Sequence, residues 1–266
     1  MNALRPIALL ILTLGACFTS PLHAETAQEQ LMQATFKVFN TSSTATGFLI
    51  RDPAPNASPT NVLLVSAAHT FSKAKGDSIL LVCRVQNSQG EWRRHDHKVF
   101  IRQGTNALWT CHPTQDVAVI RCTLPPNACF KALPQESIAD EQTAKAIGIT
   151  VGTPLFFFGY PHRTEANDAA FPLLREGVIS GYPLFPMRRY PHFVFSAPTF
   201  AGDSGAPVAI ARPDGQSLLI IGLVVTRTQQ NDKLKADEFE LTFKRDMELG
   251  SILHASFIRE TIGLLK

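Results

Sequence analysis

The chain has 266 residues, 45% of them hydrophobic and 18% charged, enough for one large domain or two small ones with an ample core. Its formal charge of +3 is spread along the sequence rather than gathered in a tail. No cluster of basic and aromatic residues marks a nucleic-acid surface, so that class is set aside.

The chain opens with Arg5, an apolar run from Ile7 to Phe18 and a polar stretch ending at Ala24. This is the pattern of a secretory signal peptide over 1–24, and the apolar run is short for a membrane span. "LGAC", which places Cys17 after small residues, offers lipidation as the alternative. Either route exports the chain to the periplasm or beyond. Loss of the leader leaves Cys83, Cys111, Cys122 and Cys129, and four cysteines in an exported chain suggest two disulfides among three possible pairings. Closeness along the chain favours Cys83 with Cys111 and Cys122 with Cys129. Zinc is the competing reading, weakened by the lack of any CxxC pair. His95 and His97 in "HDH" fit an exposed strand or loop as well as a metal, so no metal site is assigned.

Past the leader, apolar runs are short, β-branched or aromatic, and bounded by Gly, Pro, Asn or Asp: "TFKVFN", "TGFLIRD", "NVLLVSAAH", "ILLVCRV", "DVAVIRC", "PLFFFGYP", "REGVISGY", "HFVFSAP", "GAPVAIA", "SLLIIGLVVTR". This spacing predicts an all-β fold. The proline-rich and polar stretch over 126–149 reads as a linker between two β units, 25–125 and 150–250. Phe257, Ile258, Ile262 and Leu265 share one face and predict a closing helix within 251–266. A crevice between two such units is where a site is expected.

"AGDSGAP" raises the chemical question. Glycine, aspartate and serine are the residues that turns prefer, so the tetrapeptide GDSG alone reads equally as a turn. A serine nucleophile needs a histidine base, and the base needs a third group to fix its tautomer. His69 ends the strand of "NVLLVSAAH", and Asp116 opens the strand of "DVAVIRC". Each alone fits a turn or a strand cap; together with Ser204 they form a pattern.

His69, Asp116 and Ser204, in that order, resemble the trypsin/chymotrypsin clan of serine peptidases from about Ala34 to Thr226. "TGFLI", "GTPLFFFGYP", "REGVISGY" and "IIGLVV" resemble the bacterial trypsin-like and HtrA-type members most. The resemblance implies two antiparallel six-stranded barrels, with His69 and Asp116 on the first and Ser204 on the second. It implies hydrolysis of protein or peptide substrates through an acyl-enzyme, without a cofactor. The N–H groups of Gly202 and Ser204 are expected to hold the oxyanion. The layout implies a substrate pocket formed by Pro198, Thr199, Val225, Thr226 and Arg227, with no acid at its base. Cleavage after small, apolar or acidic residues is therefore expected rather than after Lys or Arg.

The sequence departs from the clan in three ways. Thr70 stands where many animal members have a half-cystine. Asp203 is present without an apolar "IVGG"-type terminus to pair with it, which leaves its partner open, and "ATFKVFN", Ala34 to Asn40, reads as a first strand already in place, so no propeptide removal is expected. No stretch is left for the peptide-binding PDZ domain that HtrA-type enzymes append, so a peptidase domain alone is expected. The α/β-hydrolase elbow GxSxG is excluded because Ala206 stands in place of its last glycine. A catalytically idle binding protein on the same fold is the remaining alternative.

Overall fold

Thr26 caps the first helix, α1 (Ala27–Ala34), through a reciprocal pair of bonds with Glu29, which turns two unsatisfied helix-end donors into partners. The computed structural model describes residues 24–39, 43–212, 214–236 and 239–265; the expected leader, apart from Ala24, lies outside them. The helix buries Ala27, Leu31 and Ala34, a 3.6-residue stripe, between the two β units. It interrupts what the sequence presents as all strand.

The first unit holds β1 (Thr35–Phe39), β2 (Thr44–Arg51), β3 (Asn61–Ser66), β4 (Ser78–Gln86), β5 (Trp92–Phe100), a two-residue pair β6 (Arg102–Gln103) and β7 (Asn106–Ala107), β8 (Trp109–Cys111) and β9 (Ala118–Thr123). A five-residue helix, α2 (Ala68–Ser72), follows β3. Seven of the strands form one sheet in the order β5-β4-β1-β2-β3-β9-β8. The sheet curls back on itself, since His97 Nε2 on β5 lies 3.0 Å from the Thr123 carbonyl on β9, but its ends do not pair into a closed barrel. The expected closure therefore fails in this unit. β8 is three residues long, and β5 is a charged, exposed edge that a further strand would have to desolvate.

The linker stretch carries a third helix, α3 (Glu141–Ala146), capped by Asp140 Oδ1 accepting from the Thr143 N–H at 2.7 Å. The second unit is a closed six-stranded barrel in the order β10-β11-β12-β15-β14-β13, from β10 (Pro154–Gly159), β11 (Leu173–Ile179), β12 (His192–Ser196), β13 (Pro207–Ala211), β14 (Leu218–Ala236) and β15 (Phe239–His254). Phe157, Phe193, Phe195, Val208 and Ile252 share its inner face and fill it. The closing helix α4 runs over Ser256–Gly263, within the expected stretch, directly after β15 ends at His254.

Both expected disulfides are absent. Cys83, Cys111, Cys122 and Cys129 are free thiols. Cys83 points into the first core from β4, whereas Cys111 is exposed on β8 at the far end of the same sheet. Cys122 packs against the core that holds Cys83 rather than turning toward Cys129, and burial pushes the Cys83 and Cys122 thiols up to about 12.

Candidate active site

β3 runs Val62 to Ser66 into the core, and its small continuation, Ala67 and Ala68, lets α2 begin close against the sheet. His69 thereby emerges at the strand end. β9 pairs with β3 in register, Ser66 opposite Ala118, which brings Asp116, just before β9, beside it. Asp116 accepts two bonds from one residue: from the His69 backbone N–H at 2.9 Å and from Nδ1 of its ring at 2.6 Å. Burial alone would raise the Asp116 carboxyl, but the His69 ring and the backbone N–H groups of His69 and Ala68 outweigh it. The acid is held below its ordinary range and stays ionised.

Ser204 lies in a tight turn of the second barrel. Gly202 has φ of 106°, and a Cβ there would come within 2.1 Å of the Tyr160 carbonyl. Gly205 has φ of 86° and would meet Ser66 Oγ and the Thr46 carbonyl at 2.2 Å. Both positions need glycine, for conformation and for space. Thr46 on β2 reaches across and holds the turn twice: its N–H donates to the Ser204 carbonyl at 2.9 Å, and its hydroxyl to the Gly202 carbonyl at 2.8 Å. The serine of the second unit is thus fixed by a strand of the first.

One peptide of this turn has a defined facing. The Ala201 carbonyl accepts from the His162 N–H at 2.7 Å, and in a trans peptide the N–H of the next residue points the opposite way. That N–H belongs to Gly202. Among the described residues, neither the Gly202 nor the Ser204 N–H has an acceptor. His69, Gly202 and Ser204 line one cleft of about 380 Å³, with Thr44, Ala45 and Thr70. The His69 ring and the Ser204 hydroxyl face this cleft without a direct hydrogen bond, a looseness common in unliganded sites of this kind.

Asp203, between the two donors, is fully buried. Arg175 on β11 grips it with both guanidinium nitrogens, at 2.6 and 2.5 Å, and the Phe200 N–H adds a bond of 2.8 Å. The sequence left this partner open. In "REGVISGY" the arginine reads as a solvent-facing residue of an alternating strand, and only the barrel's closure covers it.

A second cleft, about 330 Å³, shares Ala201 and Ser204 with the first and is lined also by Thr199, Phe200, Val224, Thr226 and Arg227. Two expected lining residues are elsewhere. Val225 is buried, because a bulge between Val224 and Thr226 shifts which side chains face the cleft. Pro198 gives its carbonyl to Arg175 at 3.3 Å. Arg227 is paired with Asp246 at 3.5 Å. His95 and His97 sit on β5, away from this cleft, and among the described residues no cluster of His, Cys, Asp or Glu is arranged to hold a metal.

The model of the trypsin-like peptidase domain matches residues 45–216, more than half of the chain. A search of curated proteins finds no match. Among solved structures, the inactive form of the Rv3671c protease is similar at 17% identity and a TM-score of 0.47, covering 88% of this chain and 89% of that one. A serine-to-alanine mutant of Rv3671c from M. tuberculosis H37Rv, also in an inactive form, is similar at 16% identity and a TM-score of 0.46, covering 88% and 86%.

Proposed function

Because the chain belongs to the trypsin-like peptidase family, we propose that it is a serine endopeptidase in which Ser204 attacks the peptide carbonyl, His69 moves the proton and Asp116 fixes His69. The observation that carries this reading is the double clamp of Asp116 on the residue that shares a cleft with Ser204. An aspartate on Nδ1 leaves the proton-accepting lone pair on Nε2, the nitrogen available to the cleft, and stabilises the imidazolium once it forms. The Ser204 proton passes to His69, the serine forms a tetrahedral adduct, and its oxyanion lies against the N–H groups of Gly202 and Ser204. Two such donors are worth about 3 to 4 kcal/mol each in related sites. His69 then gives the proton to the leaving amine, and water repeats the sequence on the acyl-enzyme.

The Arg175–Asp203 pair supports activity without propeptide removal. The carboxylate under the oxyanion turn already has a cation that belongs to the folded barrel, so no new terminus is needed to supply one. In the second cleft no carboxylate lines the wall and Arg227 is neutralised by Asp246, which favours small or apolar residues before the scissile bond over Lys, Arg or acids. Export to the periplasm or beyond rests on the leader alone. Among the described residues no helix is long and apolar enough to cross a membrane.

An active-site-directed fluorophosphonate tests the proposal. Labelling mapped to Ser204 in the protein beginning at Glu25 is the expected result. A folded protein that takes no label would assign the fold to binding instead.

A further inference from the structure

We propose that the hairpin of β14 and β15 is a substrate arm: an extended polypeptide segment on the acyl side of the scissile bond adds as a third strand along the outer edge of β14. The proposal rests on the peptidase reading above and names the kind of substrate that site takes.

The hairpin is far longer than the barrel requires. β14 pairs with β13 only from Leu218 to Leu223. Val224 then bonds to the serine turn, its N–H donating to the Ala206 carbonyl and its carbonyl accepting from the Gly205 N–H. Beyond it β14 continues to Ala236 with only β15 beside it among the described residues, so its outer edge carries unpaired N–H and C=O groups. An open edge of this kind is a template for another chain, and proteins usually blunt it. Here the edge begins at Thr226 and Arg227, which line the cleft beside Ser204.

The ribbon is also two-faced. Phe239, Leu241 and Phe243 alternate along β15, and Leu234 on β14 lies opposite Leu241. These four are about half exposed. The opposite face carries the Lys233–Glu240 ion pair, 2.9 Å, with Thr242 and Lys244. A third strand on β14 would set alternate side chains on the apolar face and gain main-chain bonds whatever its sequence, the usual division of labour in strand addition.

The chemistry decides which half of the substrate lies there. The leaving amine must take its proton from His69, so it departs into the cleft that His69 lines. The acyl portion therefore occupies the other cleft and follows β14 outward. At ~3.3 Å per residue, the stretch from Arg227 to Ala236 offers about 30 Å of edge. The preferred substrate is an unfolded chain with apolar residues at alternate positions well before the cut.

The test uses two fluorescein-labelled peptides, four alanines alone and the same four preceded by twelve residues of a Val-Thr-Val-Lys repeat. Binding is read by anisotropy on Ser204→Ala protein, with the ribbon intact or with 230–245 replaced by Asn-Gly. That replacement joins Gln229 to Asp246, which already face each other, by a two-residue turn. Loss of at least about tenfold in affinity for the long peptide, with the short one unchanged, is the expected result. The full-length Leu241→Lys/Phe243→Lys variant should reproduce it. In active enzyme the same changes should raise KM for the long peptide and leave kcat alone. Equal binding of the long peptide with and without the ribbon overturns the proposal. So does a ribbon-dependent dimer in sedimentation, or ribbon-dependent binding to anionic vesicles, when long-peptide binding is unaffected. Because anisotropy needs no turnover, it decides the arm even if fluorophosphonate fails to label and the peptidase reading falls.

Discussion

Asp116 holds the proposed base from two directions with one side chain. Its two bonds to His69 hold both the backbone and the ring of the proposed base. The His69 ring and the backbone N–H groups hold the carboxyl below its ordinary range, so Asp116 stays charged at neutral pH. Asp116→Asn should lower turnover by about 10⁴, through the wrong tautomer, with the melting temperature nearly unchanged. A loss below tenfold in peptide hydrolysis would count against the assigned role. His254 makes a second residue-scale prediction, this time about stability. Its ring is buried against Phe185 and Phe193, its Nε2 has no partner among the described residues, and burial pushes its pKa down to about 4 despite a bond to Leu184. A histidine depressed in the folded state binds its proton first in the unfolded chain. Stability is therefore complete above the unfolded value near 6.5 and declines as pH falls toward about 4, by up to roughly 3 kcal/mol. His254→Phe should flatten the fall in melting temperature across that window. An unchanged slope would place the sensitivity elsewhere.

At the scale of elements, the serine turn is stabilised from three sides: Thr46 from β2, His162 from the loop after β10, and Arg175 from β11. The pair with Asp203 matters most, because removing one partner of a buried pair leaves an uncompensated charge, a cost of about 3 to 5 kcal/mol. Arg175→Met should lower both stability and kcat, whereas Arg175→Lys should keep the charge, lose the bidentate grip and recover part of each. Calorimetry beside peptide kinetics separates the two; full activity in a folded Arg175→Met protein would remove Asp203 from the account of the turn. The helices were partly legible. "TAQE" before an apolar stripe is a capping-box signal for α1, and Asp140 marks α3, but both lie in short segments beside strong strand patterns. The outer ribbon was not legible, since Gln, Asn, Asp and Lys dominate it and have little strand preference in isolation.

For the whole molecule, periodicity and turn residues carried most of the fold class: short alternating strands bounded by Gly, Pro and Asn became the curled sheet and the closed barrel. Closure was beyond the sequence, because it depends on register between strands distant in the chain. So did the burial of Arg175 and the exchange of Val225 for Val224 at the cleft, which follow from barrel closure and a bulge. His69, Asp116 and Ser204 were singled out from local context; His69 and Ser204 line one cleft where the two units meet, and Asp116 is tied to it through its two bonds to His69. Thr46 was missed, since nothing local distinguishes a threonine in a buried strand that grips another unit. The central claim is that Ser204 is a nucleophile and not a turn hydroxyl. Hydrolysis of the longer of the two peptides, the Val-Thr-Val-Lys repeat followed by four alanines, by folded Ser204→Ala protein beside wild type tests it most directly. Turnover should drop by about 10⁴ to 10⁶ with the melting temperature unchanged. Cleavage at the wild-type rate would contradict it and leave the GDSG segment a turn.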